Sequence, residues 1–347
     1  MKLYFFVGLL LMFEACQKNQ DPIAHNEASS QRYTGPIIDM HLHAAFLEDF
    51  GGGAPICVNQ GKMSLHGWDP ASPISLDKLI NCEVMIAASV NNEALMSESL
   101  AMLEKHNIYA VTFGPLERVT EWSAKSPRRI IPALAFTSSS TVDYSLSEYR
   151  EIHKSGKLRV FAEITAQYLG KALNDSIYDA YWSLAQELDI PVGVHLGEGP
   201  PGGAHLMGGP EPSEYRVALG SPFQLEEVLI KYPKLRIYVM HYASPMVDEM
   251  IAMLYAHPQL YVDIAANNWG SPKAHFYSQL QRLINAGFEE RILWGSDQMA
   301  WPQTIEIALN TIQEAPFLSK TQKKNILYAN AVRFLRLSSE ETEGHLK

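Results

Sequence analysis

The chain is punctuated by short, nearly unbroken apolar runs that alternate with longer amphipathic stretches. The first run, Ile37–His43, reads Ile-Ile-Asp-Met-His-Leu-His, and further runs follow at Ile108–Phe113, Ile130–Phe136, Leu158–Thr165, Val192–Leu196, Ile237–Tyr242, Leu260–Ala265 and Ile292–Gly295. Runs without polar alternation predict strands covered on both faces, as parallel strands beneath helices are. Between them, helix-spaced apolar residues predict helices over Glu93–His106, capped by Asn91 or Asn92, and over Leu116–Lys125, Leu146–Lys154, Ser176–Leu188, Gln224–Lys231, Met246–Tyr255 and Ala274–Ala286. Thr304–Ile312 and Thr321–Leu335 predict two closing helices. Eight such units, with no Gly-x-Gly-x-x-Gly after any strand, predict an α/β fold of the (β/α)8 TIM-barrel type rather than an open doubly wound sheet. Ala44–Asn91, rich in Gly, Pro and Asn, is expected to be a long insertion after strand 1. Its apolar run Val84–Val90 would make a ninth strand and is assigned to the insertion, because the barrel closes on eight.

In a barrel of this kind the active site lies at the C-terminal ends of the strands, and here those ends carry one chemistry. Strict alternation along strand 1 turns His41 and His43 to one face with Asp39 a layer beneath, and Ile38, Met40 and Leu42 to the other. Glu163, His195, His241 and Asp297 finish four later runs. Each has an ordinary alternative: a hydrogen-bonded core histidine for His195 or His241, a helix cap for Asp297, a barrel-interior charge paired with Arg159 for Glu163. Their joint placement at strand ends favours a metal site. Imidazole nitrogen and carboxylate oxygen are ligands that zinc accepts. Six groups exceed what one tetrahedral ion needs, which leaves either two ions bridged by Glu163, or one ion with the remaining groups as base and electrostatic aids. Water on such an ion has its pKa lowered towards roughly 7. Asp39 is read as orienting a histidine or as purely structural.

Composition changes the picture in two places. A length of 347 residues with 47% hydrophobic content suits one barrel domain over 35–347, and a formal net charge of -10 disfavours nucleic-acid binding as the main function. The start, Met1-Lys2 followed by an apolar stretch to Phe13, is too short for a permanent membrane span and reads as an export signal. Ala15-Cys16 resembles a bacterial lipoprotein cleavage site, giving a signal peptide over 1–16, lipidation at Cys16, and a polar tether over 17–34. Glu14 and Phe13 depart from the usual small-residue box, so ordinary secretion with Cys16 in the discarded peptide stays open. The expected location is the periplasmic side of a bacterial membrane, or outside the cell. Export leaves Cys57 and Cys82 either as a disulfide or as two buried thiols.

The segments Ile38–His43, Gly193–His195, Tyr238–His241, Ile292–Asp297 and Asn325–Ala331 resemble the amidohydrolase superfamily, in its amidohydrolase-related metal-dependent hydrolase branch, over about residues 36–336. The resemblance implies a distorted TIM barrel, a mono- or dinuclear divalent-metal site, most readily of zinc, and hydrolysis of an ester, lactone or amide. A decarboxylase subgroup shares the same ligands. By that match His41, His43, His195 and Asp297 are metal-associated, with His241 a ligand or an electrostatic aid; a carboxylate beside the ion is suited to take a proton from the attacking water, which makes Asp297 the expected catalytic base. Where many members place a carbamylated lysine on strand 4, this chain has Glu163, as in TatD-type hydrolases. Nuclearity therefore stays open.

Weaker candidates for the pocket are Glu198 and His205, in the Gly197–Gly209 loop after strand 5, which is read as a substrate lid or a rigid connection. Asn267, Asn268 and Trp269 after strand 7, and Trp301 after strand 8, join them, although packing is the commoner role for the aromatics. The expected partner is a small-molecule substrate, with no nucleic acid and a membrane met only through the lipid anchor. A non-catalytic, membrane-tethered binding protein on the same barrel is the alternative from a different class.

Overall fold

A computed structural model describes residues 32–58, 63–137, 144–207 and 213–346. The signal segment with Cys16, and the tether as far as residue 31, lie outside the described residues.

Eight parallel strands form one sheet in sequence order: β1 (Ile37–His43), β2 (Ile108–Phe113), β3 (Ile130–Leu134), β4 (Val160–Ile164), β5 (Val192–His195), β6 (Ile237–Met240), β7 (Leu260–Asp263) and β8 (Ile292–Leu293). The first and last strands meet through the Met40 amide, which donates to the Trp294 carbonyl at 2.9 Å, and the Asp297 amide, which donates to the His41 carbonyl at 2.7 Å. The sheet is thus a nearly closed barrel wrapped by helices, a (β/α)8 fold. Helices Leu116–Lys125 and Leu146–Lys154 fall where the apolar spacing places them, and Asn92–Lys105 starts behind Asn91, whose side chain accepts from the Ala94 amide. Thr321–Leu335 is not one helix: a π-helical turn at Asn325–Ala329 interrupts it, and there the Ile326 carbonyl accepts from the Trp294 amide. A further helix, Ser339–His345, has its own capping box at Ser338 and Glu341 and no apolar run to announce it.

The insertion after β1 builds two small antiparallel ribbons, Ile56–Cys57 with Met85–Ile86 and Met63–Leu65 with Ile80–Cys82. The Val84–Val90 run thus contributes an insertion strand and stays outside the barrel. A Cys57–Cys82 disulfide joins the two ribbons. The insertion is tied to the barrel mouth where Trp301 Nε1 donates to the Ala54 carbonyl and the Ser89 amide to the Ala300 carbonyl.

Strict alternation fails at two strands, and both failures aim ligands. Ile38 and Met40 pack inside the barrel with Val111, Ala133, Val160, Ala162, Tyr238 and Met240, whereas Leu42 packs against the outer helices. The expectation that Ile38, Met40 and Leu42 share a face is therefore wrong. The register between β1 and β2 shifts between Asp39 and Leu42, a bulge that resets the parity so that His41 and His43 point inward above Met40. The β4–β5 register shifts likewise between Phe161 and Ile164, and turns Glu163 inward although Phe161 faces out. Arg159 is corrected too: it is not inside the barrel but half-exposed at the opposite end of β4, 2.7 Å from Glu341.

Candidate metal centre

His41, His43, Glu163, His195, His241 and Asp297 converge at the C-terminal mouth of the barrel, all buried or nearly so. His195 reaches it by plain alternation on β5. His241 and Asp297 follow the ends of β6 and β8 with φ of 58° and 51°, a left-handed conformation that swings each side chain over the barrel axis. Gly295 is needed beside them, since a Cβ there would stand 2.7 Å from the His41 Cβ.

The nitrogen and oxygen atoms face one another at ligand-like separations. His43 Nε2 lies 2.8 Å from Asp297 Oδ1, and His41 Nε2 lies 3.6 Å from the same oxygen and 3.9 Å from Glu163 Oε2. His195 Nδ1 is 2.5 Å from Glu163 Oε1 and 3.1 Å from His241 Nε2, which is itself 3.6 Å from Glu163 Oε1. Ligands about 2.1 Å from a tetrahedral ion lie roughly 3.4 Å apart, so these separations bracket a divalent cation's coordination shell. Glu163 belongs to two overlapping triplets, one with His41 and His43 and one with His195 and His241, each with its ligand atoms within 4.8 Å of one another.

Three outer contacts fix the rings. His41 Nδ1 is 2.9 Å from Asp263 Oδ2, and since a carboxylate only accepts, Nδ1 carries a proton and Nε2 is the nitrogen turned to the centre. That Nε2 is fully buried and has no hydrogen-bond partner, the signature of a nitrogen waiting for a cation. His241 Nδ1 is likewise held by the Ala265 carbonyl at 3.1 Å, and His195 Nε2 by the Tyr168 hydroxyl at 2.9 Å. Burial pushes the Glu163 and Asp297 carboxyls up, but the neighbouring imidazoles, His195 first for Glu163 and His41 first for Asp297, outweigh it and hold both below the usual carboxylate range. The centre therefore presents two carboxylates and four imidazoles, a donor set that suits one or two divalent cations.

Asp39 does not orient a histidine ring. One of its oxygens accepts from the backbone amides of His41 and Ser296, pinning β1 to the turn after β8, and burial pushes its carboxyl up to about 7 against those bonds. The ring-orienting carboxylate is Asp263, which the sequence reading passed over although it ends the apolar run Leu260-Tyr261-Val262 as the other site residues end theirs. Tyr168 had no such signal.

The weaker candidates are scattered. Glu198 sits at the rim, its carboxyl raised by burial and drawn down by His241. His205 lies in the one-turn helix Gly203–Leu206 with its ring 5.2 Å from that of Trp68 in the insertion, so the loop after β5 and the insertion meet above the mouth. The Gly197–Gly209 loop is described through Met207. Trp269 Nε1 donates to the Ser296 carbonyl, Asn268 Nδ2 to the Gly295 carbonyl, and Asn267 Oδ1 accepts from Ser271, so these side chains and Trp301 brace the loops around the site.

The sequence matches the family model described as amidohydrolase over residues 38–337, and the chain belongs to that family. Solved structures that share its fold include a probable 2-pyrone-4,6-dicarboxylic acid hydrolase from Acinetobacter baumannii with citric acid bound (15% identity, 87% of this chain and 99% of that one, TM-score 0.54). Another is 5-carboxyvanillate decarboxylase from Sphingomonas paucimobilis (12% identity, 87% and 99% coverage, TM-score 0.54). A third is an amidohydrolase from Burkholderia multivorans with bound zinc (13% identity, 88% and 100% coverage, TM-score 0.52). A search of curated proteins finds no match. Membership of the amidohydrolase family supports an enzyme, and the histidine and carboxylate groups at the mouth could hold a metal ion.

Proposed function

We propose that this protein is a metal-dependent hydrolase that cleaves an ester, lactone or amide bond in a small molecule, with zinc in one or two sites. The observation that carries the reading is the charge environment of the centre: within 4 Å, every ionic partner of Glu163 and Asp297 among the described residues is a histidine. Among the described residues no lysine or arginine pairs with either carboxylate, and Arg159 is at the far end of the barrel. His41, His43, His195 and Asp297 would hold the ion or ions, with Glu163 between the two groups and His241 as a ligand or aid. Such an ion lowers the pKa of a coordinated water and polarises the attacked carbonyl.

The chain's own groups supply the rest. Asp297, held ionised, takes the proton of the attacking water at Oδ1 and delivers it to the leaving group. His241, with Nδ1 anchored on the Ala265 carbonyl, turns Nε2 towards the centre, where it assists the oxyanion. Burial of both residues keeps bulk water from competing. Decarboxylation, favoured by the likeness to 5-carboxyvanillate decarboxylase, is the second reading. A substrate found by screening esters, lactones and amides is turned over in water enriched in heavy oxygen. Label in the acid product supports hydrolysis; carbon dioxide release with no label overturns it. Asp297→Asn, compared at matched metal content, should lose about 100- to 10,000-fold in rate, and an undiminished rate at full metal content removes Asp297 from the role of base.

For the N-terminus the proposal is export, with the chain held at a membrane through lipid on Cys16.

A further inference from the structure

We propose that Glu198 is a specificity-determining residue and that the substrate carries an ammonium group, which the Glu198 carboxylate receives while the reacting carbonyl lies at the centre. The inference rests on the metal reading of the site above and names the substrate class that such a centre takes. Glu198 follows His195 closely, in the loop after β5. Its backbone is fixed on both sides: the amide donates to the Ser244 carbonyl at 2.9 Å, and the carbonyl accepts from the Tyr215 hydroxyl. The carboxylate is not tied in this way. It reaches solvent, and among the described residues nothing forms a hydrogen bond or an ion pair with it. Burial pushes it up, and the group that draws it back down is His241, which places it beside the centre.

A chain of contacts joins Glu198 to the wall of the mouth. The Tyr168 ring lies 4.7 Å from that of His195 and 5.8 Å from that of Tyr215, whose hydroxyl holds the Glu198 carbonyl. Farther along, the same loop is clamped to the insertion: a Cβ on Gly202 would stand 2.6 Å from Leu79 Cδ1, and the His205 ring is 5.2 Å from that of Trp68. The insertion follows β1, and β1 and β5 are opposite one another in an eight-stranded barrel, so these contacts bridge the mouth. Glu198 thus stands on fixed backbone beside a bridged opening. A carboxylate held there, part-desolvated and unpaired, carries a free-energy penalty that an arriving cation relieves. Arg216, next to Tyr215, does not relieve it, because its guanidinium donates to the Ser213 and Tyr215 carbonyls. The faces of the Tyr168 and Tyr215 rings favour a cation for their own reason, the negative face of an aromatic ring. An anionic substrate would meet Glu198 in addition to Glu163 and Asp297, on a chain whose formal net charge is -10.

The test uses the full chain loaded with zinc and a set of hydroxamates, whose common head group binds zinc whatever the tail carries. β-Alanine hydroxamate has an ammonium tail, butyrohydroxamate a neutral one and succinic monohydroxamate a carboxylate; a second set, one methylene longer, covers a different reach. Calorimetric titration should show the ammonium probe of at least one set binding about 5- to 10-fold more tightly than its neutral counterpart, the scale of a partly exposed charge pair. The anionic probe should bind most weakly. Glu198→Gln should bring the ammonium and neutral probes to within about 2-fold of each other. Since no group in the described chain loses a partner, this variant should unfold at the native urea midpoint, so a lost preference is not a lost fold. An ammonium preference that survives in Glu198→Gln overturns the proposal, and so does a native protein that binds the anionic probe as well as the cationic one. A native chain that takes up no zinc overturns the metal reading and this proposal with it, whereas zinc uptake with charge-blind binding overturns this proposal alone.

Discussion

At the scale of single residues, the centre depends on close approaches that leave no spare volume. Gly295 brings the turn after β8 against β1, and an added methyl would meet the His41 Cβ at 2.7 Å, the Ala265 Cβ at 3.1 Å and the His41 amide at 3.4 Å. None of these is the tip of a flexible side chain, so strand or ligand has to shift. Gly295→Ala is expected to cost about 1–3 kcal/mol, as overpacking of a full interior does. Because His41 is displaced, zinc affinity should fall with it. Denaturant unfolding and a zinc titration of the variant check this together; a midpoint within about 0.5 kcal/mol of native, the range of a neutral surface change, would show that the contact relaxes freely. Asp297, Glu163 and His241 were legible as candidates because they close apolar runs, and Asp263 was legible on the same ground. Tyr168 was not, since a tyrosine in a loop after a strand carries no mark of its partner.

At the scale of elements, the insertion after β1 is a small stapled unit laid on a large barrel. Its ribbons are two and three residues long, too little to hold by themselves. The Cys57–Cys82 bridge spans a sequence separation of 25, for which restriction of the unfolded chain is worth roughly 3 kcal/mol. Thiol counting on the unfolded, unreduced mature protein should find neither cysteine free, and two titratable thiols in fresh material would sink the pairing. Reduction should loosen the insertion before the barrel, because the eight-stranded sheet shares none of its ladder with the ribbons. Limited proteolysis of the reduced protein should therefore cut first within residues 44–91.

At the scale of the whole molecule, the two ends of the barrel have different neighbours. The chain enters at the bottom, where the Tyr33 amide and carbonyl both bond the Gln313 side chain, and β1 carries it up to the metal-competent mouth at His43. Mass spectrometry of protein from its native membrane should find Cys16 as an acylated first residue, and a chain that begins beyond residue 16 without modification would overturn the anchor. A form starting at residue 32 should be released from the membrane with kcat unchanged.

The sequence by itself determined the barrel and named most of the residues that meet at its mouth. Parallel strands are buried on both faces, so they write themselves as unbroken apolar runs, and the barrel places its chemistry at one end of each. What only the tertiary structure decided was direction. Bulges in β1 and β4 reset the alternation that would have turned Leu42 and Met40 the same way and Glu163 outward, and left-handed turns at His241 and Asp297 swing those residues over the axis. A bulge or a positive φ at a non-glycine residue is imposed by what packs around it and leaves no periodic trace. For the same reason Asp39 became a backbone anchor and Asp263 the ring holder, because which carboxylate reaches the imidazole depends on the register between strands far apart in the chain.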